Sequence, residues 1–192
     1  MKTQEQIEQW VRPNIRRLKP YSSARNEFSG EASVWLDANE SPFNEPYNRY
    51  PDPLQWAVKH RLAKQRGVCP DQIFLGVGSD EAIDLLYRIF CEPGKSNAIA
   101  FTPTYGMYRV CADINGVEYR EVPLQADFSL PVEELLRAAD RESRLLFLCS
   151  PNNPTGNAFP EADIERLLTG FDGIVVIDEA YIDFSSHPSW LA

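Results

Sequence analysis

Apolar positions follow two different rhythms in this chain. In the amino-terminal third they are sparse and broken by prolines, whereas beyond residue 70 short apolar runs alternate with segments of helical periodicity. The runs at 73–77, 98–101, 117–123, 145–149 and 174–178 predict five strands. Apolar residues spaced three and four apart at 80–90, 105–114, 132–139 and 161–168 predict the helices between them. LLFLC and IVVID read as continuous apolar runs, the pattern of strands covered on both faces. Such alternation predicts an α/β fold with a mostly parallel sheet, helices on both faces and right-handed crossovers. Ligands of these sheets sit beyond the carboxyl ends of the strands.

The amino-terminal third is read from its punctuation. Thr3 and Gln6 have capping-box spacing, and Ile7, Trp10 and Val11 share the face of a short helix that Pro13 ends; Pro20 lies in the irregular arm beyond. A short extended segment at 33–36 leads into LDANESPF and NRYPDP, whose prolines and asparagines predict loop. Asp52 caps a further helix with Pro53 at its first position, Leu54, Val58 and Leu62 on its buried face and Gly67 as its stop.

Composition narrows the function classes. The 192 residues are 43% hydrophobic and 24% charged, enough apolar material for a core of ordinary domain size. Lys plus Arg is 19 and Asp plus Glu is 28, a net charge of −9, which argues against electrostatic binding to nucleic acid or to an anionic membrane. No apolar run approaches the roughly 20 residues of a transmembrane helix, and the opening MKTQEQIEQW lacks the apolar core of a secretory signal. Cys69, Cys91, Cys111 and Cys149 are widely spaced, and His60 and His187 lie apart from them. That spacing argues against a disulfide framework and a metal site, and places the chain in a reducing cytoplasm.

Four segments carry candidate chemistry, and each follows a predicted strand. In GVGSDEA, from Gly76 to Ala82, Gly78, Ser79 and Asp80 open a helix whose free amides and positive dipole end suit a phosphate. Asp80 reads equally as a plain N-cap. The segment lacks the third glycine of a dinucleotide fingerprint and the Gly-Lys-Ser/Thr of a P-loop. In PTYGMY, Tyr105 is placed to stack on a planar ligand or to pack beneath a helix start. The turn SPNNPTG, from Ser150 to Gly156, directs one asparagine amide toward the cleft, although turn chemistry alone explains its composition. Asp178 ends IVVID directly after four apolar residues. It requires a cationic or donor partner, for which a ligand cation qualifies, or else it caps the segment that follows.

Taken together, LDANESP, RYPDP, GSDEAIDLL, PTYGMY, SPNNPTG and VVIDEAYIDF resemble the fold-type-I, pyridoxal-phosphate-dependent aminotransferases. Within them the chain is most similar to the histidinol-phosphate aminotransferase branch, from about Tyr21 to Phe184. The resemblance implies that Gly78, Ser79 and Asp80 hold the phosphate of pyridoxal 5'-phosphate, and that Tyr105 stacks on its ring. It implies that Asn153 and Tyr181 bond the ring's phenolic oxygen, while Asp178 pairs with the ring nitrogen as the catalytic carboxylate. Tyr50 would reach the cofactor phosphate of the other subunit in a homodimer, and Tyr21 and Asn39 would contact the small-molecule substrate.

The same resemblance implies an amino-terminal half, with residues 1–45 as arm and start of the small domain and 46–192 as the first part of the large cofactor-binding domain. The family's Schiff-base lysine follows a further strand, and none of Lys2, Lys19, Lys59, Lys64 or Lys95 matches its context. Residues 1–192 alone are therefore expected to be inactive and unstable, with the strand at 73–77 pairing outside this stretch. Two alternatives remain: another aminotransferase or a decarboxylase of the same branch, and a non-catalytic cofactor-binding or dimerisation module.

Overall fold

The computed structural model describes residues 2–45 and 47–191, with the backbone alone at Asn26. It comprises two compact units, Met1–Arg16 with Gly76–Ala192, and Arg17–Leu75. The domain boundary expected at 45 falls inside the second of these units.

The larger unit is built on four parallel strands, β1 (Asn97–Thr102), β2 (Glu118–Pro123), β3 (Ser143–Cys149) and β4 (Ile174–Asp178), in the spatial order β2-β1-β3-β4. The helices α5 (Gly78–Phe90), α6 (Met107–Ile114), α7 (Val132–Ala138) and α8 (Glu161–Gly170) lie between and around them in sequence, as the apolar periodicity predicts. Helix α5 packs on α6, and α7 on α8. The central strands β1 and β3 are buried along nearly their whole length, which requires helices on both faces of the sheet. Phe147 sits at the centre of this core with its ring between those of Tyr87 and Tyr108, at centroid distances of 5.5 and 4.6 Å. IVVID departs from expectation. Every residue of β4 is only half-buried, because β4 is a sheet edge paired to β3 alone.

The amino-terminal helix α1 (Gln4–Trp10) carries the expected capping box between Thr3 and Gln6. Pro13 does not open an irregular arm but starts a second short helix, α2 (Pro13–Arg16), where its missing N–H costs no bond. Arg12 latches this segment to the end of α5, its amide donating to Ile89 O at 2.9 Å and its guanidinium to Arg88 O at 3.0 Å.

The second unit holds α3 (Ala24–Glu27) and α4 (Trp56–Arg66). Gly67 ends α4 in the left-handed region as expected, but the helix starts at Trp56 with Gln55 as its N-cap and not at Pro53. The Asp52 carboxylate accepts from the amides of Leu54 and Trp56. Leu54 and Val58, expected on a buried face, are 45% and 52% exposed. Ala63 is the unit's one buried apolar residue among the described residues, so the helix has little core to face. The extended segment at 33–36 forms no strand. Nor does 73–77, in which Phe74 and Val77 are exposed. Both have extended sequence character, but a strand requires a hydrogen-bonded ladder, and neither has a partner among the described residues. Among the described residues no helix is long and apolar enough to cross a membrane.

Candidate functional site

At the carboxyl ends of β3 and β4 a cavity of about 260 Å³ is lined by Gly78, Ser79, Asp80, Tyr105, Cys149, Asn153, Asp178, Ala180 and Tyr181. Seven of these nine are site residues expected from the sequence motifs, and they spread over 103 positions from Gly78 to Tyr181. A larger cavity of about 570 Å³ adjoins it, sharing Asn153 and Tyr181 and extending to Phe184 and His187.

Each wall has a local cause. Gly78 takes φ +71°, a left-handed conformation available to glycine, and this bend turns the chain into α5. The first amides of that helix have no intrahelical acceptor and present the positive end of its dipole. Glu81 reaches back to accept from the Val77 amide at 2.5 Å. Asp80 accepts the Tyr105 hydroxyl at 2.9 Å. Its carboxylate is thereby engaged, leaving backbone amides and the Ser79 hydroxyl as the donors for an anion. The same bond raises the Tyr105 phenol pKa, so the hydroxyl keeps its proton.

The two loops that carry Tyr105 and Asn153 are joined by Asn152, whose side chain is a hub. Thr104 Oγ1 donates to its Oδ1 at 2.9 Å, and its Nδ2 donates to Pro103 O at 3.0 Å and to Thr155 Oγ1 at 2.6 Å. Of the two adjacent asparagines, the buried Asn152 builds the turn, while Asn153 lines the cavity. The sequence left open which one faced the cleft.

Asp178 closes β4, and its oxygens are held by neutral donors. Tyr108 donates its hydroxyl to Oδ2 at 2.7 Å, and the Ala180 amide donates to Oδ1 at 3.0 Å. Neither Tyr108 of PTYGMY nor Cys149 has a role at the site in the sequence reading, yet the structure places Cys149 in the cavity wall and Tyr108 against Asp178. The signal for Tyr108 was its position three residues after Tyr105, which puts it in the first turn of the helix that follows. Burial pushes the Cys149 thiol pKa up, which keeps it a neutral wall.

Tyr21, Asn39 and Tyr50 lie in the unit Arg17–Leu75, and each is exposed. Within that unit the Tyr50 amide donates to Glu40 Oε1 at 2.9 Å. Glu40, with its side chain only 4% exposed, also accepts from Arg25 at 2.9 Å and from Arg49 at 2.7 Å. Arg25 in turn pairs with both oxygens of Asp37. LDANESP and RYPDP are thus tied together through one carboxylate, whose pKa falls to about 2 under the two guanidiniums.

Known proteins resemble this chain in sequence and in fold. The profile of the family described as aminotransferase class I and II matches residues 24–191. A histidinol-phosphate aminotransferase of Bacteroides thetaiotaomicron is 58% identical over the whole chain, which covers 55% of that relative. One of Parabacteroides distasonis is 59% identical over 94% of the chain and 52% of its own length. The chain thus spans about half the length of these relatives. Among solved structures, histidinol-phosphate aminotransferase from Sinorhizobium meliloti in complex with pyridoxal 5'-phosphate superposes with a TM-score of 0.65 at 26% identity, over 71% of this chain and 38% of that one. With the profile matched over nearly its full length and a parallel sheet whose motifs meet at the strand ends, this chain belongs to the class I and II aminotransferase family.

Proposed function

We propose that the intact protein is a pyridoxal-5'-phosphate-dependent histidinol-phosphate aminotransferase, a cytoplasmic homodimer that serves histidine biosynthesis by exchanging an amino group between histidinol phosphate and 2-oxoglutarate. One observation carries the reading: Ser79, Asp80, Tyr105, Asn153, Asp178 and Tyr181, named from separate motifs, line a single cavity. The identities near 58% to histidinol-phosphate aminotransferases support the substrate.

The donor set fits the cofactor group by group. The amides of Gly78, Ser79 and Asp80, with the Ser79 hydroxyl, offer donors to a phosphate at the positive end of α5. The Tyr105 ring forms an aromatic wall, which suits a pyridine. Asn153 and Tyr181 supply side-chain groups able to donate to a phenolic oxygen. Asp178 brings a carboxylate able to hold a proton on a ring nitrogen, a charge-assisted contact of about 1.5–3 kcal/mol. Bound there, the cofactor supplies the electron sink that amino transfer requires. Tyr21 and Asn39 contact the substrate in this reading, and Tyr50 reaches the partner subunit's cofactor phosphate.

The test is glutamate formation by the intact protein supplied with histidinol phosphate and 2-oxoglutarate. Turnover is expected with this donor, and Asp178→Asn should lower it by about a hundredfold or more. Turnover confined to aromatic amino acids, or a decarboxylated product, would move the protein to another branch of the family.

A further inference from the structure

We infer that Tyr108 is a positioning residue, one that acts on the cofactor ring through Asp178; the inference rests on the cofactor assignment above. Tyr108 is fully buried, at 0% exposure, and its ring stacks on Phe147 with centroids 4.6 Å apart and planes inclined by 14°. Tyr105 meets it edge-on at 5.7 Å, and Tyr87 donates its hydroxyl to the Tyr108 carbonyl at 2.9 Å. Ring and backbone are both held. The hydroxyl, the side chain's single polar group, donates to Asp178 Oδ2 at 2.7 Å while the Ala180 amide occupies Oδ1. With one donor on each oxygen the plane of the carboxylate is fixed before any ligand arrives. Burial raises the phenol pKa strongly, so the group remains a donor and does not compete as an acid.

Removing that hydroxyl has two opposed effects. A carboxylate without its phenol donor is a stronger acceptor, which favours a ring N–H, but it is also free to rotate. Asp178 is half-buried at a cavity wall, so water can replace the lost donor and restore the charge distribution. Water does not restore the direction, and the loss of pre-organisation dominates.

A double-mutant cycle in the intact protein tests this, read as pyridoxal 5'-phosphate affinity by quenching of intrinsic fluorescence. Tyr108→Phe keeps the stacked ring and should weaken binding about tenfold. In an Asp178→Ala background the same change should alter affinity by less than about twofold, because nothing is left for Tyr108 to position. Phe147→Leu, which removes the ring that holds Tyr108, should weaken binding about threefold with Asp178 present and leave it unchanged in the Asp178→Ala background. This second variant decides the question should Tyr108→Phe fail to fold. Equal losses in both backgrounds, or no loss in either, would overturn the inference and leave the cofactor assignment standing. Absence of binding by the unmodified protein would overturn both.

Discussion

Asn152 and Asn153 are neighbours in a turn that composition alone explains, yet their side chains have separate tasks. The Asn152 amide gives both its donors and its carbonyl to Thr104, Pro103 and Thr155, and only 3% of the residue is exposed. Asn152→Ala would leave these groups unpaired in the interior and should destabilise the protein by about 2–3 kcal/mol, measured by urea unfolding. Asn153→Ala should change stability by less than about 1 kcal/mol while weakening cofactor binding, because its side chain serves the cavity wall. Equal stability losses at the two positions would refute the division. The residue types at this site were legible in the sequence because each motif is local, and three of the four follow a strand. The pairings between motifs were not. Tyr108 and Asp178 are 70 positions apart, and which tyrosine of PTYGMY meets the carboxylate depends on the packing of α6 against the sheet.

Among the elements, the strands and helices beyond residue 90 were readable to within a few residues because apolar runs and turns alternate cleanly. The stretch at 73–77 misled because apolar content specifies burial, while a strand also needs a neighbour to bond. The same limit applies to 33–36 and to the face of α4, where Leu54 and Val58 remain exposed and Ala63 alone among the described residues of the unit is a buried apolar residue. Helix α5 depends on its entry. Gly78 sits at φ +71° with no atom within 4 Å of an added Cβ, so Gly78→Ala meets conformational strain and no clash. It should cost about 1–2 kcal/mol in urea unfolding. A cost near zero would show that the entry relaxes freely.

The unit 17–75 is held by charge where a core is lacking, and acid should reveal this. The Glu40 pKa is lowered from 4.5 to about 2 by hydrogen bonds from Arg49 and Arg25 and from the Tyr50 amide. A depressed carboxylate pKa adds stability above the unfolded value, and that stability is lost as pH falls through 4.5 toward 2. Asp140, also lowered to about 2, contributes in the same window, so the slope must be compared with a variant. Glu40→Gln should flatten the dependence of Tm on pH between 4.5 and 2 and leave the part due to Asp140. An unchanged slope would remove Glu40 from the account.

For the whole molecule, the fold explains why residues distant in sequence meet. Parallel strands all deliver their carboxyl ends to one side, and the loops after β1, β3 and β4 meet the start of α5 there. Net charge argued against nucleic acid and cysteine spacing against a metal site, while the motifs, through their family resemblance, pointed to a small-molecule enzyme. The substrate was not legible from the fold, because specificity resides in sites grafted onto a shared scaffold. The central claim is that this one cavity is the cofactor site. A crystal structure of the intact protein with pyridoxal 5'-phosphate tests it most directly. The account predicts the phosphate on the amides of Gly78, Ser79 and Asp80 and the ring nitrogen within hydrogen-bond reach of Asp178. A cofactor whose ring nitrogen faces any other group, or whose phosphate lies away from the start of α5, would contradict it.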